Sequence, residues 1–310
     1  MKHDFVITLA LVIFFVIAQF VGLVLIDANI GEIKIVEGVK TIIHQDTSLG
    51  PRPELSGSGA FAYIAAGLII GTLLILLIIR MKKINLWKAW FFLAVFLAIS
   101  LALGVFLKSY LAFIIALILA IIKVLKPNVV IHNITEVLMY AGIAVFLVPM
   151  LNVLWAAILL LVISVYDVYA VFKSKHMVKM AQFQAKSKVF AGLFIPYTPK
   201  EQRVDSGAAS IAPPKSMKAE AKKQKAEKKN AVLGGGDIAF PLLFTGAVME
   251  RLIVKGLPTT IALEQSLIIT LTTTIALALL FIFAKKDKFY PAMPFVTAGC
   301  FIGYGIVLLL

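Results

Sequence analysis

Nine apolar runs, each close to the length that crosses a bilayer, punctuate this 310-residue chain. They lie at about 5–26, 60–79, 89–107, 109–125, 131–149, 151–172, 235–254, 259–284 and 290–310. A hydrocarbon core of about 30 Å takes roughly 20 apolar residues in helical form. Lipid offers the backbone no hydrogen-bond partners, so helices that pair their own N–H and C=O groups are the solution such runs favour. Composition agrees, with 61% hydrophobic residues and a mean hydropathy of +0.99, both high for a soluble chain. The chain reads as an all-α, polytopic transmembrane bundle of nine spans. Hydropathy alone also leaves seven or eight open. The fourth run is short, the fifth opens on His132, Asn133, Thr135 and Glu136, and the fifth and sixth nearly fuse. We divide that pair at Pro149-Met150-Leu151-Asn152, where a turn fits. The first run is too long for a signal-peptide core and has no small-residue cleavage site, so it is expected as a retained helix.

Net charge is +14, a balance that in a soluble chain would suggest nucleic acid. Here the cations sit between the apolar runs, which reads as topology and lipid headgroup contact instead. With nine spans, 24 of the 30 Lys and Arg fall on one side and six on the other. Cytoplasmic loops carry that excess, so the N-terminus is expected in the cytoplasm and the C-terminus outside. Three regions follow: a six-helix part over 1–172, a basic, disordered cytoplasmic loop over 173–230, and a three-helix part over 231–310. A single cysteine, Cys300, excludes an intrachain disulfide and is expected to be a small buried residue. Two small-xxx-small pairs, Gly67/Gly71 and Gly299/Gly303, are expected to let helices pack closely, and Thr272, Thr273 and Thr274 to serve helix packing.

Ionisable side chains inside a bilayer are costly and usually functional. Glu136, Glu250 and Glu264 lie toward span ends, where headgroups are within reach. Asp167 and Asp237 differ. Asp167 stands inside the sixth run, five residues from Phe172, or about 7–8 Å along a helix. Asp237 opens the seventh run after Gly234-Gly235-Gly236. One run travels inward and the next outward, so the two carboxylates can meet at similar depth near the cytoplasmic face. Two carboxylates held together cannot both ionise cheaply and share a proton. The ionised one can then deprotonate water while the protonated one polarises a peptide carbonyl. No His/Cys cluster suggests a metal, no cofactor is expected, and Ser164 has no evident His partner. The three glycines loosen a helix start and let a substrate backbone approach. Pro291-Ala292-Met293-Pro294 falls on the same side, and its prolines interrupt helix hydrogen bonding. Tyr166 points to a face next to that of Asp167, where packing beside the pair and facing lipid are both open.

Tyr-Asp in one span, Gly-x-Gly-Asp opening the next and Pro-Ala-x-Pro at the last together resemble the presenilin and signal peptide peptidase family, in the form of an archaeal homologue. The resemblance covers essentially the whole chain. It implies a presenilin-like bundle and an intramembrane aspartyl endopeptidase with Asp167 and Asp237 as catalytic residues. It assigns substrate binding and active-site shaping to Tyr166, Gly234, Gly236, Pro291, Ala292, Met293 and Pro294. Met293 stands where the family usually has leucine, and Gly235 holds a variable position. The substrates implied are transmembrane proteins or peptides, including remnant signal peptides, cleaved within the bilayer. The competing reading is a proton- or cation-coupled transporter, which also uses paired carboxylates and broken helices. A membrane scaffold without catalysis is a third. Oligomeric state is left open.

Overall fold

The computed structural model describes residues 5–36, 39–126, 128–173, 183–184, 187, 189–197, 229–284 and 290–310. Among them are nine α-helices: α1 (Phe5–Ala28), α2 (Ser58–Met81), α3 (Ile84–Leu103), α4 (Ser109–Leu125), α5 (Val129–Leu147), α6 (Val153–Phe172), α7 (Gly236–Val254), α8 (Thr259–Phe283) and α9 (Met293–Leu309). Each apolar run is one helix. Six are long and apolar enough to cross a membrane, and α4 and α9 are shorter apolar helices. The remaining one, α7, carries Asp237, Glu250 and Arg251.

Local signals set the boundaries. α5 and α6 separate as expected: a 3-10 turn at Val148–Met150 contains Pro149, and Asn152 caps α6 by accepting from the Trp155 N–H at 2.9 Å. Asn128 caps α5 in the same way, accepting from the Val130 N–H at 2.9 Å. α3 begins at Ile84, five residues before the run expected at 89, because Lys82 in a left-handed conformation (φ 56°) ends α2 and the chain turns at once.

α1 packs against α5, α7 and α8 with its other face outward, and α8 packs along α9. α3 lies against α4 and α5, while α6 meets α7 and α9. Outward faces are apolar, as at Val165, Leu154 and Ile275, which suits a lipid environment. Gly299 and Gly303 pack closely as expected. A Cβ on Gly299 would lie 2.6 Å from the Thr273 Cα, and one on Gly303 2.6 Å from the Ile269 Cα. Gly67 and Gly71 do not, since a Cβ on either meets nothing within 4 Å and α2 buries little of its surface. Cys300 is buried, as expected, with its Sγ 3.4 Å from the Thr273 hydroxyl.

Two hairpins were not expected. β1 (Ile30–Val36) pairs antiparallel with β2 (Val39–His44) beyond the end of α1. Arg52 ties this end together, donating to Asn29 Oδ1 at 2.6 Å, the Gln45 carbonyl at 2.8 Å and the Val145 carbonyl at 3.1 Å. Burial pulls its guanidinium pKa down, opposed by Glu250 and Asp46. β3 (Gly192–Tyr197) pairs antiparallel with β4 (Lys229–Gly234), and β4 runs directly into α7. The loop expected to be disordered over 173–230 is therefore ordered at 192–197 and at its junction with α7. The interior of that loop, 198–228, lies outside the described residues.

Candidate active site

On α6 the buried positions include Leu160, Ser164 and Asp167, spaced i, i+4, i+7. That stripe faces α7 and α9. Asp167 is 4% exposed. Its Oδ2 accepts the Met293 N–H at 3.1 Å, and the Ala292 backbone also hydrogen-bonds to the carboxyl group. Met293 is the first residue of α9, where N–H groups have no intrahelical acceptor and the helix dipole favours an anion. The role of Pro291-Ala292-Met293-Pro294 is thus different from the one the prolines alone suggest. Pro294 occupies the first turn of α9, where a missing N–H breaks no helical bond. What the segment presents to Asp167 is N–H donors. One turn away on each helix, the hydroxyls of Ser164 and Thr297 share a buried hydrogen bond of 2.6 Å, which fixes α6 against α9.

Asp237 stands in the first turn of α7 and is partly buried. Asp167 faces α7 and α9 from the C-terminal half of α6, and Asp237 opens the α7 helix that packs on it. The glycines before it make room in different ways. A Cβ on Gly234 would lie 3.1 Å from Asp237 Oδ2, so a side chain there would press on the carboxylate. A Cβ on Gly235 would fall 2.9 Å from the ring of Tyr140 and closer still to its hydroxyl. Gly236 is exposed, and a Cβ there meets only the Phe240 ring at 3.4 Å. Gly235 has an ordinary helical φ of −64°, so space and not backbone freedom calls for glycine at this position. Within α7, Pro241 has no N–H to give to the Asp237 carbonyl four residues back. The next carbonyl, that of Ile238, accepts from the side chain of Gln19 on α1 at 2.8 Å. Gln19 is 1% exposed, so this bond crosses the middle of the bundle.

Tyr166 resolves toward the periphery: it is 41% exposed and hydrogen-bonds Thr72 of α2. Pro291, Ala292 and Met293 are buried, and Pro294 is partly so. One expectation fails. Glu136 was expected to reach headgroups, yet its side chain is 0% exposed and paired with Lys123 at 2.6 Å. Glu250, near the far end of α7, is half-buried, 2.8 Å from His44 Nε2 of β2. Glu264 is exposed near the start of α8, as expected. Sequence reasoning missed Gln19, Lys123, Tyr140 and Gly235. A polar residue inside an apolar run was the available signal for the first three. Among the described residues no group of three or more His, Cys, Asp or Glu could hold a metal ion.

The profile of the family described as signal-peptide peptidase, presenilin aspartyl protease matches residues 21–310. The fold is similar to that of a presenilin family intramembrane aspartate protease solved in two crystal forms. For the C222 form the TM-score is 0.55 at 17% identity, over 96% of this chain and 94% of that one. For the P2 form the TM-score is 0.59 at 17% identity, over 97% of each chain. No curated protein sequence matches. The family profile gives no support to a transporter. A helical bundle of this shape, matched by that profile over nearly its whole length, belongs to the signal-peptide peptidase and presenilin family, and the protein is an intramembrane aspartyl protease of the multi-pass membrane class.

Proposed function

We propose that Asp167 and Asp237 form the catalytic dyad and hydrolyse a peptide bond in a transmembrane segment. The observation that supports this is a buried Asp167, held by the Met293 N–H at 3.1 Å, on the helix that packs against α7, whose first turn carries Asp237. The ionised carboxylate takes a proton from water, and the oxygen attacks the scissile carbonyl carbon. The protonated carboxyl donates to the carbonyl oxygen, giving a neutral tetrahedral gem-diol. Collapse of that intermediate breaks the C–N bond. One proton passes to the leaving amine, and the dyad returns to its singly protonated state. No covalent enzyme intermediate is needed.

A substrate helix hides its amides in internal hydrogen bonds, so it must unwind before water reaches a carbonyl. β4 offers what an unwound segment needs. It ends two residues before α7, and among the described residues it pairs only with β3. Its other edge can take an extended strand by main-chain hydrogen bonds. This places the added strand on β4, with Gly234 and the exposed Gly236 allowing close approach and Pro291, Ala292, Met293 and Pro294 closing the other side. Tyr166 borders the site from α6. On this reading 1–172 supplies one aspartate, 231–310 supplies the other, and 173–230 is the cytoplasmic connection. The N-terminus is cytoplasmic and the C-terminus outside, favouring substrates whose own N-terminus is outside.

The pH dependence of peptide cleavage in detergent tests the dyad. A pair that must hold one proton gives a bell-shaped profile of kcat/KM, falling on the acid side as both protonate and on the alkaline side as both ionise. A rate that stays flat across the range in which the protein remains folded contradicts it.

A further inference from the structure

A second polar cluster lies outside the dyad, and the mechanism above gives it no task. Lys123 of α4 and Glu136 of α5 form an ion pair whose side chains are 1% and 0% exposed. The Lys123 ammonium also donates to Thr135 Oγ1 at 2.9 Å. Desolvation makes such a pair a poor source of stability compared with apolar packing. Its geometry points to another use. Lys123 occupies Glu136 Oε1, and Oε2 accepts both the Tyr140 hydroxyl and the Gly192 N–H, the latter at 2.9 Å. One turn back, His132 Nε2 lies 2.9 Å from the Gly192 carbonyl. Asn133 uses its amide as a strand would, donating to the Phe194 carbonyl at 3.0 Å and accepting the Phe194 N–H at 3.1 Å.

These bonds cover alternate residues, 192 and 194, along the edge of β3 that faces away from β4. α5 therefore holds β3 by its backbone. The ring of His132 stacks 6.0 Å from Phe190 and meets Phe194 edge-on at 4.7 Å, which fixes the same segment from its side chains. Gly192 in turn pairs with Gly234, the last residue of β4 and three before Asp237. Its φ of 144° and the approach of the Leu233 carbonyl leave no room for a side chain. Tyr140 then bears directly on Gly235. A continuous path of short contacts thus runs from the Lys123–Glu136 pair, through β3 and β4, to the residues that begin α7.

We propose that Glu136 and Asn133 are positioning residues, which set the β3–β4 hairpin against α5 and so hold Asp237 at the depth where it meets Asp167. The inference rests on Asp237 being a catalytic residue. Lys123 holds Glu136 through Oε1, and Tyr140 transmits the register to Gly235.

The test is steady-state cleavage of a synthetic transmembrane peptide by the full chain in detergent, with thermal melting of each variant recorded alongside. Glu136→Gln and Asn133→Ala are expected to lower kcat by about tenfold or more while KM stays within about threefold, because binding is kept and alignment is lost. Asn133→Ala removes no charge and keeps the test valid if Glu136→Gln does not fold. Ile99→Ala, which opens a cavity at a buried position in the second half of α3, serves as the control for stability, and its kcat is expected to stay near wild type. The proposal is overturned if both positioning variants keep wild-type kcat, if the loss appears in KM alone, or if Ile99→Ala lowers kcat as much at equal melting temperature. Asp237→Asn in the same assay separates the two readings. If it still cleaves, the dyad fails; if it is inactive while Glu136→Gln and Asn133→Ala cleave normally, only the positioning role fails.

Discussion

The side chains around the aspartates divide into those that make room and those that make bonds. Gly235 makes room for Tyr140, a ring tied to Glu136. Gly235→Ala is expected to cost about 1–3 kcal/mol through overpacking, seen as a lower melting temperature. Gly236 touches nothing so closely, and its exposure leaves it free to face a substrate. Gly236→Ala is therefore expected to leave the melting temperature unchanged and to raise KM in peptide cleavage. If the two substitutions act alike on melting, this division of labour is wrong. Asp167 stands out in the sequence as a charge inside a long apolar run, and Asp237 as one that opens such a run after three glycines. Glu136 stood out equally and was misread as interfacial, because its acceptors' partners, Lys123 and the Gly192 backbone, lie 13 and 56 residues away. Hydropathy carries no record of such pairing.

Between elements, close approach is decided by what stands opposite a small residue. Gly299-x-x-x-Gly303 and Gly67-x-x-x-Gly71 share a pattern, yet only the first meets another helix. Gly303→Val is expected to destabilise by about 3 kcal/mol, since α8 backbone fills the space a side chain would need. Gly71→Val is expected to stay within about 0.5 kcal/mol, as for a surface change. Equal effects in a detergent unfolding titration would mean that α2 is packed. The Ser164–Thr297 bond joins α6 to α9 in the same direct way. Thr297→Val is expected to cost about 1–3 kcal/mol by stranding the Ser164 hydroxyl, and adding Ser164→Ala should recover part of it. The helices themselves were legible to within five residues at each end, because length and hydropathy dictate them. The β3–β4 pair was not, because its strands are joined by pairing across more than thirty residues and by side chains of α5.

At the scale of the whole molecule, the fold turns two distant sequence motifs into neighbours. α6 ends near the face where α7 begins, and α9 brings N–H donors to the same place. The bias of 24 cations to six predicts on which side of the membrane this happens. It overcounts by one, since Lys123 is buried against Glu136. In a Cys300→Ser background, cysteines at Lys34 and Leu310 should react with an impermeant thiol reagent from outside, and one at Lys173 only after the membrane is opened. Labelling in the reverse order would invert the topology without touching the fold.

The account depends on two carboxylates acting as one site. Mass spectrometry of a transmembrane peptide incubated with purified enzyme reads this directly. Two new fragments should form with the wild type, and none above background with either Asp167→Asn or Asp237→Asn, each of which folds and melts like the wild type. Fragments produced by either variant at a rate comparable to wild type would contradict it.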